Sequence, residues 1–364
     1  MTTDTSVRPA TEPADGVSAA ELTEILAVTH DFAEQELVPR TLDVDLGDAD
    51  ALAACWSGVR EIGLDRALLA EDDGGIGLGV AELLQVLEVL AAGDAGIATL
   101  ALLSNAALRL LPAEKLAQLG ENDRCSLVLL PEQGAPGANG LKFSGETTAT
   151  GRIEFALGAI GAAGLVVVVP SSKQGNVEGQ AYLVDSQFTG YLAKRDEAQL
   201  GLRSAQAAAI ELSDTRVDAI GDARGAHEVE VLLHAGIAAI ARGIARRAHA
   251  LALDYAENRF QGGSMIVEHG AVRDMLALIS ERNRVVTGPG TFAGATELAQ
   301  AIALKTAVTD AAVASTIDAV QVFGGMGYMH ETGVEKLMRD AKYCQLFPQS
   351  NWLARDELVE LERG

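Results

Sequence analysis

Apolar positions set the first division of the chain. From Ser18, Leu22, Ile25, Leu26, Val28, Phe32, Leu37 and Val38 recur mostly at three- or four-residue steps, which predicts an amphipathic helix that Pro39 limits. Ala81 to Asp94 and Ile97 to Leu111 predict two more helices, with Leu, Val and Ala forming the stripes and Gly or Pro punctuating the ends. Ahead of them, residues 1–17 are rich in Thr, Pro, Asp and Ala without apolar periodicity and read as a flexible leader.

The pattern then changes. From Cys125 to about Asp218, short β-rich runs alternate with Gly, Ser and Asp: Ser126 to Leu130, Leu165 to Val169, Ala181 to Val184 and Ala208 to Leu212. They predict an antiparallel β domain. Helical spacing returns over Glu228 to Asn258, Glu268 to Val286, Phe292 to Val320 and a closing segment. The order helices, strands, helices indicates an α+β protein rather than a doubly wound sheet. The expected division is an N-terminal helical domain over 18–122, a central β domain over 123–220 and a helical bundle over 221–364.

With 364 residues, 48% of them apolar, the chain has enough material for a large core. Aliphatic runs such as Leu165 to Val169 fall far short of the roughly 20 residues a membrane-spanning helix requires, so no membrane insertion is expected. Cys55, Cys125 and Cys344 are far apart and odd in number, which suits buried thiols in a reducing cytoplasm and offers no metal-binding pair. A net charge of −23 repels nucleic acid and means that local cations must meet any anionic ligand.

Several separated segments resemble the acyl-CoA dehydrogenase family of flavoproteins. Phe32 to Arg40 is similar to the family's first helix and its exit, and Glu71-Asp72-Asp73-Gly74-Gly75-Ile76-Gly77 to its Pro-Glu-x-x-Gly-Gly-x-Gly turn. Leu200 to Ser204 and Leu212 to Val217 resemble the Gly-x-Arg strand pair, and Asp254 to Arg259 with Val267 to His269 the Tyr-x-x-x-Arg helix junction. Most specific is Gln321-Val322-Phe323-Gly324-Gly325-Met326-Gly327-Tyr328, followed by Val334 to Lys342. The resemblance implies an N-terminal helical domain, a central antiparallel β domain and a C-terminal four-helix bundle, assembled as a dimer of dimers with FAD across subunit interfaces.

Two groups of residues serve each FAD in such an assembly, and they fare differently here. For the group reaching over from a neighbouring subunit, the resemblance implies that Arg259 meets the pyrophosphate and that Gln321, Gly324 and Gly325 form the Gln-x-x-Gly-Gly turn against the cofactor. Gly262 and Gly270 depart from the pattern nearby. In the group holding the flavin ring, the family's Thr-Glu-Pro-Gly-Ala-Gly-Ser-Asp becomes Pro131 to Ala138, and its Trp-Ile-Thr strand becomes Phe155-Ala156-Leu157. Leucine cannot donate the threonine's hydrogen bond.

The resemblance places the catalytic base at Pro348 or, alternatively, at Leu233, and neither side chain accepts a proton. Loss of a general base lowers a rate by about 10² to 10⁴. His234 is the neighbouring candidate for a substitute, set against the plainer reading of a packed histidine on an apolar helix; Glu228 and Glu230 read as solvated or capping charges. Arg339, Asp340 and Lys342 read as a structural ion network, and Arg246-Arg247 as solvated or interfacial.

The combined expectation is a cytoplasmic subunit with no catalytic residue of its own. It completes an FAD site for a homologous acyl-CoA dehydrogenase subunit that carries the catalytic glutamate, in a heterotetramer oxidising a bulky, steroid-like acyl-CoA. Two alternatives stand beside it: an autonomous FAD-dependent oxidoreductase with a displaced base, and a structural or regulatory subunit that binds no flavin.

Overall fold

A computed structural model of the protein describes residues 16–120, 123–130, 140–145, 147–170, 179–195, 199–286 and 296–363. Most of the expected leader and all of Pro131 to Ala138 lie outside the described residues. The first helical group comprises α1 (Ala19–Phe32), α2 (Thr41–Asp45), α3 (Ala49–Glu61), α4 (Val80–Gly93), α5 (Ala95–Leu110) and α6 (Ala113–Leu116). Ser18 starts α1 through a capping box with Glu21. A widened turn follows over Ala33–Leu37, with the Val38 N–H reaching back to the Ala33 carbonyl at 2.9 Å before Pro39 ends the run. Asp94 caps α5, its Oδ1 accepting from the Ile97 N–H at 2.9 Å.

Eight strands follow: β1 (Cys125–Leu129), β2 (Leu141–Ser144), β3 (Thr148–Ala156), β4 (Gly164–Val169), β5 (Gln180–Asp185), β6 (Tyr191–Arg195), β7 (Ala208–Arg216) and β8 (Asp218–Gly221). They form two four-stranded sheets, ordered β1-β4-β5-β8 and β2-β3-β7-β6. The expectation of an antiparallel domain holds for every pair but one: β1 and β4 run parallel, Cys125 opposite Gly164. The chain between them passes through β2 and β3 of the other sheet, and that long crossover returns β4 in the same direction as β1.

The last group is α7 (Ala223–Asn258), the short hairpin of β9 (Phe260–Gln261) and β10 (Ser264–Met265), then α8 (Gly270–Val285), α9 (Leu298–Phe323), α10 (Val334–Cys344) and α11 (Asn351–Arg363). The expected helix from Phe292 begins at Leu298, and Phe292 itself lies outside the described residues. Helix α7 is central: Leu232, Leu233, Ile237, Ile240 and Ile244 are buried in one core with Leu83, Leu87 and Leu90 of α4 and with residues of α5 and α9. At Gly243, an added Cβ would stand 2.3 Å from the Glu88 carbonyl oxygen, so only glycine lets α7 and α4 approach this closely. Among the described residues no helix is long and apolar enough to cross a membrane, and all three cysteines are free and buried.

Candidate functional site

The residues expected to meet a cofactor gather at the joint ends of α7 and α9. Tyr255, in the last turn of α7, stacks on Phe323, the final residue of α9, with ring centroids 4.2 Å apart. That stack joins the end of α7, which Arg259 caps, to the end of α9, where Gln321 and the turn Gly324–Tyr328 lie. Arg259 and Gln321 are exposed, and neither side chain has a hydrogen-bond or ion-pair partner among the described residues. Gly324 adopts φ +60°, a conformation suited to glycine, and nothing within 4 Å would meet a Cβ at Gly324, Gly325 or Gly263. Phe260, Met326, Tyr328 and Met329 stand exposed around the turn, at 63%, 43%, 75% and 47%. The surface combines an unpaired guanidinium, an unpaired amide, a bare glycine turn and apolar side chains. Such a set fits one flank of a dinucleotide, the guanidinium meeting phosphate and the glycine backbone admitting the ligand closely.

The two expected base positions lie deeper. Leu233 is fully buried in the core, and Pro348 follows α10 in a segment that Lys305 ties down. The Lys305 ammonium, itself fully buried, donates to the Gln349 carbonyl at 2.7 Å, the Asn351 Oδ1 at 2.7 Å and the Gln345 carbonyl at 3.3 Å. Burial pulls its pKa down to about 7. His234, next to Leu233, is also fully buried; burial and the nearby Lys305 push it down to about 3. Neither of its ring nitrogens has a partner in the described structure. At neutral pH it is an uncharged, packed imidazole, which agrees with the plainer sequence reading. Leu157 is likewise buried, its carbonyl accepting from the Ser126 hydroxyl at 2.7 Å. None of Leu157, Leu233 and Pro348 has a side chain that exchanges a proton.

The charges around Arg339 and Asp340 form a structural network, as expected, although Lys342 stands apart from it on Gln345 Oε1 at 2.7 Å. Lys336 bridges Asp94 at 3.1 Å and Asp340 at 2.7 Å, and Asp340 also accepts from the Leu202 N–H at 2.7 Å. Burial raises the Asp340 pKa; it would raise Asp94 too, but Lys336 and the Thr41 hydroxyl hold Asp94 below the ordinary range. Glu228 pairs with Arg109 and Arg224, at 3.1 and 2.9 Å. The solvated or capping role expected for Glu230 is corrected, since α7 carries it into the interior at 8% exposure.

Sequence reasoning missed Lys305, whose only forewarning is a lysine directly after the apolar run Ala301 to Leu304. It also passed over Arg242 of α7, which lies one turn before Arg246 and shares Glu88 with it.

Residues 19–121 match the acyl-CoA dehydrogenase N-terminal domain and residues 233–348 the C-terminal domain. The chain belongs to the acyl-CoA dehydrogenase family. It is 26% identical over 368 aligned positions to a short-chain specific acyl-CoA dehydrogenase of Megasphaera elsdenii, covering 90% of this chain and 94% of that one. It is 31% identical over 195 positions to cyclohexane-1-carbonyl-CoA dehydrogenase of Syntrophus aciditrophicus, spanning 49% of this chain and about half, 50%, of that relative. The butyryl-CoA dehydrogenase structure from Megasphaera elsdenii superposes with a TM-score of 0.79 at 22% identity, covering 96% of this chain and all of the other. The fold of helical, β and helical segments is thus that of the acyl-CoA dehydrogenases, a family of FAD-binding flavoproteins.

Proposed function

We propose that this chain is a subunit of a cytoplasmic acyl-CoA dehydrogenase heterotetramer that completes an FAD site without supplying the catalytic base. Arg259, Gln321, Gly324 and Gly325 flank the cofactor from across the interface. A homologous subunit carrying the catalytic glutamate holds the flavin ring and the acyl thioester. The observation carrying this reading is the contrast between the two halves of the site: Arg259 and Gln321 are exposed without partners in their own chain, whereas Leu157, Leu233 and Pro348 present no proton-exchanging group.

FAD, when bound, accepts the hydride of α,β-dehydrogenation. This chain's part is positional. The Arg259 guanidinium, at the end of α7, supplies positive charge for the pyrophosphate. The glycine turn brings backbone rather than side chain against the ligand, and the exposed Phe260, Tyr328 and methionines exclude water by packing on the partner. The substrate is a bulky acyl-CoA, such as a steroid-derived thioester; the cyclic acyl group named for the Syntrophus relative supports a bulky class.

Expression alone and with a homologous dehydrogenase chain, followed by absorption spectra and acyl-CoA turnover, tests the proposal. The expected result is flavin and activity in the co-purified complex, both reduced by Arg259→Ala. Dehydrogenation by this chain alone would establish an autonomous enzyme and overturn the reading. Full activity and full flavin content in an Arg259→Ala complex would instead favour a subunit that takes no part in the FAD site.

A further inference from the structure

A cavity lies along the middle of α7, several turns before the Arg259 end. Set between α1, α4, α7 and α8, it measures about 520 Å³, within the range of small-molecule sites. Arg242, Arg246 and Arg247 line it from α7 and Arg284 from α8, against only two carboxylates, Glu34 and Glu88. In a chain of net charge −23, four guanidiniums on one cavity run against the overall balance. The two carboxylates are engaged: Glu88 pairs with Arg242 at 3.1 Å and with Arg246 at 2.9 Å, and Glu34 pairs with Arg247 at 3.0 Å. Arg284 has no carboxylate within ion-pair distance among the described residues; its Nε donates to the Ser280 hydroxyl at 3.3 Å. The walls therefore carry an excess of two positive charges. Ala33, Val89, Ala92 and Ala250 give the same cavity an apolar side.

We propose that this cavity binds a small phosphate monoester, its dianionic phosphate between Arg284 and the α7 arginines and its organic body against the alanine and valine wall. An excess of two charges matches a phosphate dianion, and guanidiniums offer the paired N–H geometry that phosphate oxygens accept. The apolar side distinguishes an ester from free phosphate. His249, whose pKa burial and the neighbouring Arg284 lower, adds a neutral imidazole at the rim.

Calorimetric titration of the full chain, in the assembly in which it purifies, tests this with phenyl phosphate and inorganic phosphate as probes. Phenyl phosphate is expected to bind about tenfold or more tightly than phosphate. Arg284→Gln, at an exposed position, should weaken phenyl phosphate binding by about tenfold with an unchanged melting temperature. Glu34→Gln, which frees Arg247, should tighten it. Arg259→Gln, which alters the separate FAD-flanking surface, should leave it unchanged, so this proposal and the preceding one fail independently. Binding indifferent to Arg284→Gln, binding abolished by Arg259→Gln, equal affinity for the two probes, or dissociation constants above about 10 mM would each overturn it.

Discussion

The Arg339 guanidinium holds the Asp45 carboxylate through both terminal nitrogens, at 2.7 and 3.2 Å, although 294 positions separate the two residues in sequence. The same guanidinium donates to the Leu200 carbonyl at 2.9 Å and to Glu335 at 2.6 Å, so one side chain ties α2, the β segment and α10 together. Asp45 is fully buried, and a buried carboxylate that loses its bidentate partner keeps its desolvation cost. Arg339→Met should therefore destabilise the protein by about 3–5 kcal/mol. Arg203, 3.5 Å from Asp45 and 38% exposed, is the contrasting case; Arg203→Gln should cost about 1 kcal/mol or less. Denaturant unfolding of both variants checks the pair, and equal losses would contradict the assignment of Arg339 as the main partner.

Gly243 supplies a prediction in which local and tertiary effects have opposite signs. In an exposed helix, Gly→Ala stabilises by roughly 0.5–1 kcal/mol. Here the added methyl meets the Glu88 carbonyl oxygen at 2.3 Å and the Ala91 Cβ at 2.8 Å, contacts that force α7 and α4 apart. Gly243→Ala should lower stability by about 1–3 kcal/mol, the range for overpacking a close-packed core. Thermal unfolding reads the sign directly, and a stabilised variant would show that the helices separate at little cost.

The long helices were legible because aliphatic residues recur along them with helical spacing, and β4 was legible because Leu165 to Val169 is an uninterrupted buried run. Strands β2 and β8, at four residues each, are too short for alternation to stand out, and Lys194 and Arg195 disguise β6 at the edge of its sheet. The β1–β4 parallel pairing depends on how distant segments meet, which periodicity does not encode. At the candidate site, Arg259 and the glycine turn were legible through family resemblance, while their convergence through the Tyr255–Phe323 stack required the fold. Arg246-Arg247 had suggested only solvated or interfacial charge, because the carboxylates that organise the cavity come from the widened turn after α1 and from α4.

His234 predicts a specific acid response. In the unfolded chain its imidazole takes up a proton near pH 6.5, in the folded chain only near pH 3. Between those values the unfolded state binds the extra proton, so stability falls as pH falls through that window. Above pH 6.5 both states are neutral and the term vanishes. His234→Leu removes it, and also removes two buried nitrogens that lack partners, so near pH 7 the substitution should be neutral or mildly stabilising. Unfolding midpoints from pH 4 to pH 8 should show the variant gaining on the parent progressively below pH 6.5. Parallel curves would mean that His234 is protonated in the folded state.

Gly325 separates a role in the fold from a role at the cofactor. Its Cβ direction is open, with nothing of its own chain within 4 Å, so Gly325→Val should change the stability of the isolated chain by no more than about 0.5 kcal/mol. In the assembled complex the same side chain would occupy the space into which the glycine turn admits FAD, and flavin content after gel filtration should drop steeply. Arg259→Ala should also lower flavin retention, by removing charge rather than adding bulk, and its deficit relative to the parent should narrow with rising salt as the attraction that Arg259 supplies is screened. A Gly325→Val complex that keeps its flavin would show that the turn faces away from the cofactor, whereas an isolated chain that unfolds would show that the turn serves the fold instead.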